Sequence, residues 1–86
     1  MTVNGMVLGE VVDEQCRQEQ KWGHQEHGAL RWLAILTEEV GELAQAILLP
    51  DGHELATMED VAKVRHELVQ VAAVALTWLA NGKFEE

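Results

Sequence analysis

The amino-acid sequence predicts an all-α fold with three main helices. Apolar residues recur at three- and four-residue steps, turn-forming segments with glycine or proline interrupt this pattern twice, and no segment alternates apolar and polar residues as a strand would. The 86 residues fit one domain, 1–86. A chain this short buries only about 60–65% of its unfolded surface, so we expect a metal or a partner chain to add stability.

The first helix is predicted over about residues 3–21. Its second half, 13–20, is almost entirely polar, and such residues favour a helix but leave little to bury. One face of this helix is therefore expected to line something polar. The segment from Gly23 to Gly28 holds two histidines between glycines and is predicted to be a loop.

The second helix is predicted over about residues 29–49, where the helical spacing of apolar residues is clearest. The segment Pro50-Asp51-Gly52 ends it. Gly41 lies inside this helix, where a glycine costs about 1 kcal/mol relative to alanine. A glycine at such a position indicates the close approach of another helix.

The third helix is predicted over about residues 57–80. Thr57 and Asp60 have the spacing of a capping box, and Asn81-Gly82 predicts a left-handed stop. From Leu68 onward the helix is apolar almost all the way round, so it needs cover on several sides. Two further helices of one short chain can hardly provide it. We therefore expect a homo-oligomer, in which the second and third helices complete a four-helix-type bundle with their copies.

The charge and the cysteine content limit which binding partners and which cellular compartment are expected. The 15 acidic and 6 basic side chains give a formal charge of −9, which repels nucleic acid, and no cluster of bases offsets it. Cys16 is the single cysteine, so no intrachain disulfide can form and a reducing, cytoplasmic setting is expected. The most apolar run, Leu68–Ala80, has 13 residues, fewer than the roughly 18–20 that span a bilayer. No membrane association is expected.

Two pairs of polar side chains could form a metal site. Glu39 and Glu42 share a helix face with Glu38 at its edge, and Glu67 and Gln70 have the same three-residue spacing on the third helix. If the two helices are antiparallel, Glu42 and Glu67 stand at similar heights from the connecting turn, at about 1.5 Å rise per residue. Oxygen ligands in this number suit Mg²⁺, or Mn²⁺, with water completing the coordination shell. The glutamates of the second helix, taken alone, are better explained as a solvated surface.

The two pairs also carry a family resemblance. Glu39-Val40-Gly41-Glu42, with 24 residues between Glu42 and the segment Glu67-Leu68-Val69-Gln70, resembles the MazG-like branch of the all-α nucleoside triphosphate pyrophosphohydrolases. The signature of that superfamily is ExxE, a spacer and ExxD. The segments Lys21–His27 and Ile35–Leu43 also look MazG-like, and the resemblance covers about residues 14–80. It implies a MazG-like bundle and a magnesium-dependent enzyme that acts on nucleotides.

The resemblance also implies roles for individual residues. Glu39, Glu42 and Glu67 would be magnesium ligands, and Gln70 stands where the family has aspartate, which puts the affinity or the number of metal ions in doubt. The metal would polarise the phosphate chain and lower the pKa of a bound water. Attack of that water on the α-phosphorus would release a nucleoside monophosphate and pyrophosphate, and Glu38 is the candidate that orients or deprotonates it.

Substrate-binding residues are expected near the end of the first helix. Lys21 would contact a phosphate and Trp22 would stack on the base or sugar, although a solvated lysine beside a core tryptophan is equally consistent with the sequence. Arg17 is a further phosphate candidate. His24 and His27 form an HxxH pair without a third ligand, so a transition-metal site is poorly supported. The loop is expected to lie on the substrate side, with His27 near the ligand.

Three alternatives compete with the enzyme. A helical di-iron protein needs Glu-x-x-His pairs, and no glutamate of this chain has a histidine three residues on. The chain could instead be a catalytically impaired MazG-like module that binds nucleotides or a protein, because Gln70 replaces the family aspartate. A purely structural oligomerisation module predicts no thermal shift with magnesium. The sequence leaves open the preferred base and sugar, the pathway, and the choice between dimer and tetramer.

Overall fold

A computed structural model of the chain describes residues 4–48 and 57–84. Over these residues the protein consists of three α-helices and contains no strand, which confirms the predicted all-α class. The helices are α1 (Gly5–Trp22), α2 (Ala29–Ile47) and α3 (Met58–Asn81). They agree with the predicted ranges to within about two residues. The predicted helix ends at residues 3 and 49 and the predicted stop at 50–52 lie outside the described residues.

Side-chain caps explain where α1 and α3 begin. The Asn4 side chain accepts a hydrogen bond from the Val7 backbone N–H at 2.9 Å. At the start of α3 the capping box is present as predicted: the Asp60 N–H donates to Thr57 Oγ1 at 3.0 Å, and the Thr57 N–H donates to the Asp60 carboxylate at 3.2 Å. Each bond satisfies an N–H that the helix itself leaves without a partner.

The two glycines at helix ends serve different purposes. Gly23 follows α1 with a φ of 77°, a conformation that favours glycine. Gly82 follows α3 with a φ of −76°, so the predicted left-handed stop is wrong. A side chain at Gly82 would instead collide with its surroundings, since a Cβ atom there would lie 2.6 Å from the Trp78 carbonyl oxygen and 2.8 Å from the Phe84 ring. Glycine is required at this position for space and not for its backbone freedom.

Helix α3 lies at the centre and packs against both α1 and α2, whereas α1 and α2 make no close backbone contact with each other. The indole rings of Trp32 and Trp78 are stacked between α2 and α3, with centroids 6.2 Å apart. An ion pair between Glu10 and Arg65 joins α1 to α3. The fully buried side chains are few, and Trp32 is the largest of them. This arrangement leaves a space between α1 and α2 that is floored by α3.

Much apolar surface remains uncovered by residues 4–48 and 57–84. On α2 the side chains of Leu33, Val40 and Ile47, spaced seven residues apart, are 53%, 45% and 44% exposed. Gly41 lies beside this stripe, and apart from its chain neighbours and the nearby backbone of α2, no atom of the described residues comes within 4 Å of the place where a Cβ would stand. The close helix approach predicted at Gly41 is therefore not made by the described part of this chain. Leu68 on α3 is also about half exposed.

Among the described residues, no helix combines the length and the apolar character needed to cross a bilayer.

Candidate metal-binding site

Three carboxylates converge between α2 and α3. Oxygen atoms of Glu39, Glu42 and Glu67 all lie within 4.8 Å of one another. Glu39 and Glu42 are one turn apart on α2, and Glu67 faces them because α3 packs alongside α2 in the register that the sequence predicted. Glu39 and Glu67 are half-buried, and Glu42 is exposed.

Burial and the crowding of negative charge both act on the pKa of Glu39. Its pKa is raised above the ordinary value of 4.5, first by burial and then by the neighbouring charges of Glu42, Glu67, Glu38 and Glu14. The ionised carboxylate is therefore less stable here than in water. A proton or a metal cation near Glu39 would relieve the repulsion.

Gln70 joins this cluster from the next turn of α3. When its amide nitrogen faces the carboxylates, it donates to Glu67 Oε2 at 3.1 Å and to Glu39 Oε2 at 3.3 Å, and its carbonyl oxygen accepts from His66 Nε2 at 3.1 Å. The reversed orientation turns the carbonyl oxygen toward the same carboxylates, which is favourable only when a cation lies between them. The side chain can thus serve the cluster in two ways, as a hydrogen-bond donor or as a neutral ligand.

The donor set fits a hard divalent cation. Glu39, Glu42 and Glu67 offer carboxylate oxygens and Gln70 offers an amide oxygen, and oxygen-only sets of this kind suit Mg²⁺ or Mn²⁺. Acidic clusters also occur on protein surfaces as solvated side chains. The geometry permits a metal ion and does not by itself identify one.

The carboxylate cluster opens into a cavity of about 730 Å³ between α1 and α2. Glu38, Glu39 and Glu42 line one end of the cavity, and Trp22 and Trp32 line the region around the other end. Along α2 the lining runs from residue 42 back to residue 31, a length of about 16 Å at 1.5 Å per residue. Its α3 side is formed by Val74, Thr77 and Asn81.

The predicted substrate-binding residues divide into two groups. Trp22 and His27 line the cavity, and Trp22 is 56% exposed, which excludes it from the core of this chain. Lys21 and Arg17 do not line the cavity. The Lys21 ammonium lies 4.8 Å from the centre of the Trp22 ring in a cation–π contact, and the guanidinium of Arg17 pairs with Glu14 at 2.8 Å.

Helix α1 contributes two buried polar residues that the sequence did not single out. Glu14 and Gln18 are only 6% and 7% exposed, and Gln18 lines the cavity together with Gln15 and Glu19. The expectation that one face of the polar first helix lines something polar is confirmed. The four-residue step from 14 through 18 to Trp22 is the signal in the sequence that could have identified these two residues.

Trp32 carries a further polar group at the cavity wall. The residue is 1% exposed, as expected for a core tryptophan, and its ring meets the His27 ring edge-to-face with centroids 4.9 Å apart. Its Nε1 atom is buried and has no hydrogen-bond partner in the part of the chain that the structure describes. Buried donors without a partner are rare, because each costs about 1–3 kcal/mol.

Comparisons with known proteins return no match, either to a family model, to a curated protein or to a solved structure.

Proposed function

We propose that the protein is a magnesium-dependent nucleoside triphosphate pyrophosphohydrolase of the MazG-like kind. The observation that carries the proposal is the placement of two carboxylates of the cluster, Glu39 and Glu42, in the wall of a cavity that also holds an exposed tryptophan, Trp22. A nucleotide needs both features, a cation for its phosphates and an aromatic face for its base. The resemblance of the pairs Glu39/Glu42 and Glu67/Gln70 to the ExxE and ExxD signature, with Gln70 in place of the aspartate, selects the reaction.

The cation would be held by the carboxylates of Glu39, Glu42 and Glu67, with the Gln70 carbonyl oxygen as a neutral fourth ligand. When bound, Mg²⁺ supplies a Lewis acid for the phosphate oxygens and lowers the pKa of coordinated water. Among the described residues that line the cavity, Arg31 is the only lysine or arginine. Carboxylates outnumber this base, so a triphosphate needs the cation to bind here at all.

We assign to Glu38 the role of activating the attacking water molecule. This residue lines the cavity next to Glu39 and is exposed to solvent. As a general base it would accept a proton while the water oxygen forms a bond to the α-phosphorus. The bond from that phosphorus to the bridging oxygen then breaks, and pyrophosphate leaves with the electron pair. Trp22 and His27, farther along the cavity, would hold the base or sugar.

Self-association forms the second part of the proposal. The stripe of Leu33, Val40 and Ile47 is half exposed along α2, and Gly41 beside it leaves room for another backbone. Apolar side chains at seven-residue steps suit packing against a second helix at a shallow angle. We propose that a second copy of the chain covers this stripe, in a dimer or a dimer of dimers that completes a four-helix-type bundle.

A second candidate function is nucleotide binding without hydrolysis. Gln70 favours it, because an amide nitrogen that donates to both Glu39 and Glu67 satisfies these carboxylates without a metal. The neutral side chain also gives the site one negative charge fewer than the family aspartate would. Such a protein would bind nucleotides in the cavity and release no pyrophosphate.

Pyrophosphate release from a panel of canonical and modified nucleoside triphosphates, with and without Mg²⁺, tests the proposal. We expect metal-dependent release that Glu39→Ala abolishes and that Asp13→Ala, which removes an exposed carboxylate of α1, leaves intact. If the folded protein is silent and Gln70→Asp creates activity, the binding module is correct and the enzyme is not.

A further inference from the structure

Glu14 and Gln18 are buried polar residues with no part in the proposed metal chemistry. The Glu14 carboxylate receives the guanidinium of Arg17, whose Nε donates to Oε1 at 3.0 Å. Its other oxygen, Oε2, accepts from Gln18 Nε2 at 3.4 Å. Arg17 stays largely exposed and pairs with the buried carboxylate. The Glu14 carboxylate is thus held by two side chains of its own helix.

The carboxylate determines the orientation of the Gln18 side chain. An ionised carboxylate only accepts hydrogen bonds, so the NH₂ group of the glutamine must face Glu14 and its carbonyl oxygen must point elsewhere. Gln18 is itself part of the cavity wall. A glutamine held in this way keeps its carbonyl oxygen free of Glu14, so this oxygen can accept a hydrogen bond from a donor group of a ligand.

The position of Gln18 along α1 indicates which donor. Glu14 is close enough to Glu39 for its charge to contribute to the raised pKa of that group, so residue 14 stands near the metal end of the cavity. Trp22 stands at the aromatic end, two helical turns later. Gln18 lies midway, about 6 Å along the helix axis from each. In a nucleotide with its phosphates at the carboxylates and its base at Trp22, the sugar is the part between them.

We propose that Gln18, oriented by Glu14, accepts a hydrogen bond from a sugar hydroxyl of the nucleotide and so makes the site selective for the sugar. The inference rests on the proposed function for the placement of the phosphates. Gln18 is then a specificity-determining residue that contacts the ligand, and Glu14 is a positioning residue that acts through it. The tryptophan end of the cavity is left to the base.

The test compares one nucleoside triphosphate with its 2′-deoxy and 3′-deoxy forms, in pyrophosphate release and in binding measured by calorimetry with Mg²⁺. We expect Gln18→Leu to weaken binding of the nucleotide that carries the recognised hydroxyl by about 2- to 10-fold, seen as a rise in KM, because this is the range of a neutral hydrogen bond. Binding of the analogue that lacks this hydroxyl should be unchanged. Glu14→Gln should shift the same ratio in the same direction, because the new amide no longer dictates the orientation of Gln18.

Matched controls separate this effect from general damage. Gln20→Leu removes an exposed amide from the same helix, and Asp13→Asn removes one negative charge next to Glu14; neither should alter the ratio. The inference would be refuted if Gln18→Leu and Glu14→Gln each weakened the binding of all three sugar forms equally. It would also be refuted if the change in binding were confined to nucleotides whose base carries an amino group. If no pyrophosphate is released from any nucleotide, the proposed hydrolysis fails, and the binding ratios still decide the role of Gln18.

Discussion

Replacing Glu39 by glutamine should make the metal-free protein more stable and, at the same time, unable to use magnesium. The carboxylate oxygens of Glu42 and Glu67 lie within 4.8 Å of Glu39, where two unit charges repel by at least about 0.9 kcal/mol per pair in water. Screening at about 0.1 M salt lowers this to about 0.5 kcal/mol, so the two pairs together cost about 1 kcal/mol. Burial of the ionised group adds to this cost, and the new amide keeps a carbonyl oxygen that Gln70 can reach.

The assay is thermal unfolding followed by circular dichroism, with and without Mg²⁺. For a domain of this size about 1 kcal/mol corresponds to a rise in Tm of about 4–8 °C, and we expect this rise for Glu39→Gln without metal. Saturating Mg²⁺ should raise the wild-type Tm, since a ligand at a hundred times its Kd adds about 2.7 kcal/mol, and should leave the variant unchanged. The reasoning would be refuted if the metal-free variant had a lower Tm than the wild type, or if Mg²⁺ left the Tm of the wild type unchanged.

The sign of the pH dependence follows from the raised pKa of Glu39. Because the folded-state pKa lies above the unfolded value, ionisation destabilises the fold; the penalty is absent below about pH 4.5 and grows as the pH rises through the folded-state pKa. The advantage of Glu39→Gln over the metal-free wild type should therefore grow as the pH rises through the folded-state pKa and vanish as the pH falls toward 4.5. An advantage that is independent of pH would show that the neighbouring charges are not its cause.

Three further predictions concern the metal ligand, the helix end and the exposed stripe. Gln70→Asp should tighten Mg²⁺ binding in a calorimetric titration, because a carboxylate replaces a neutral ligand, whereas Glu59→Asp, remote at the start of α3, should not. Gly82→Ala should lower the free energy of unfolding by about 1–3 kcal/mol in urea, since its Cβ would collide with Trp78 and Phe84; an unchanged midpoint would contradict the close contact. Val40→Glu should reduce the mass measured by light scattering to that of a smaller species, because a charge cannot be buried in an apolar helix contact; Gln45→Glu, on an exposed polar position, is the matched control, and an unchanged mass for Val40→Glu would exclude this stripe as the interface.

The sequence was sufficient to predict the helices and the convergence of the carboxylates. The apolar spacing of α2, the capping box at Thr57 and the turn signals determine where helices form, because these effects are local. The pairing of residues 39–42 with 67–70 followed from a short connection between antiparallel helices and the constant rise per residue. Both predictions depend only on geometry within a single helix or across one turn, which the local sequence determines.

Only the tertiary structure decided which polar residues of α1 are buried and what they contact. Glu14, Gln18 and Arg17 are all polar in the sequence, yet the first two are buried and the third is exposed, because burial depends on where α3 meets α1. The tertiary structure also corrected the prediction of a left-handed stop at Gly82. Glycine is needed there because Trp78 and the Phe84 ring leave no room for a Cβ atom, and not because of its backbone conformation. Local pattern determines which segments are helical, whereas the space between the packed helices determines which side chains line a site, and that space exists only after the helices have met.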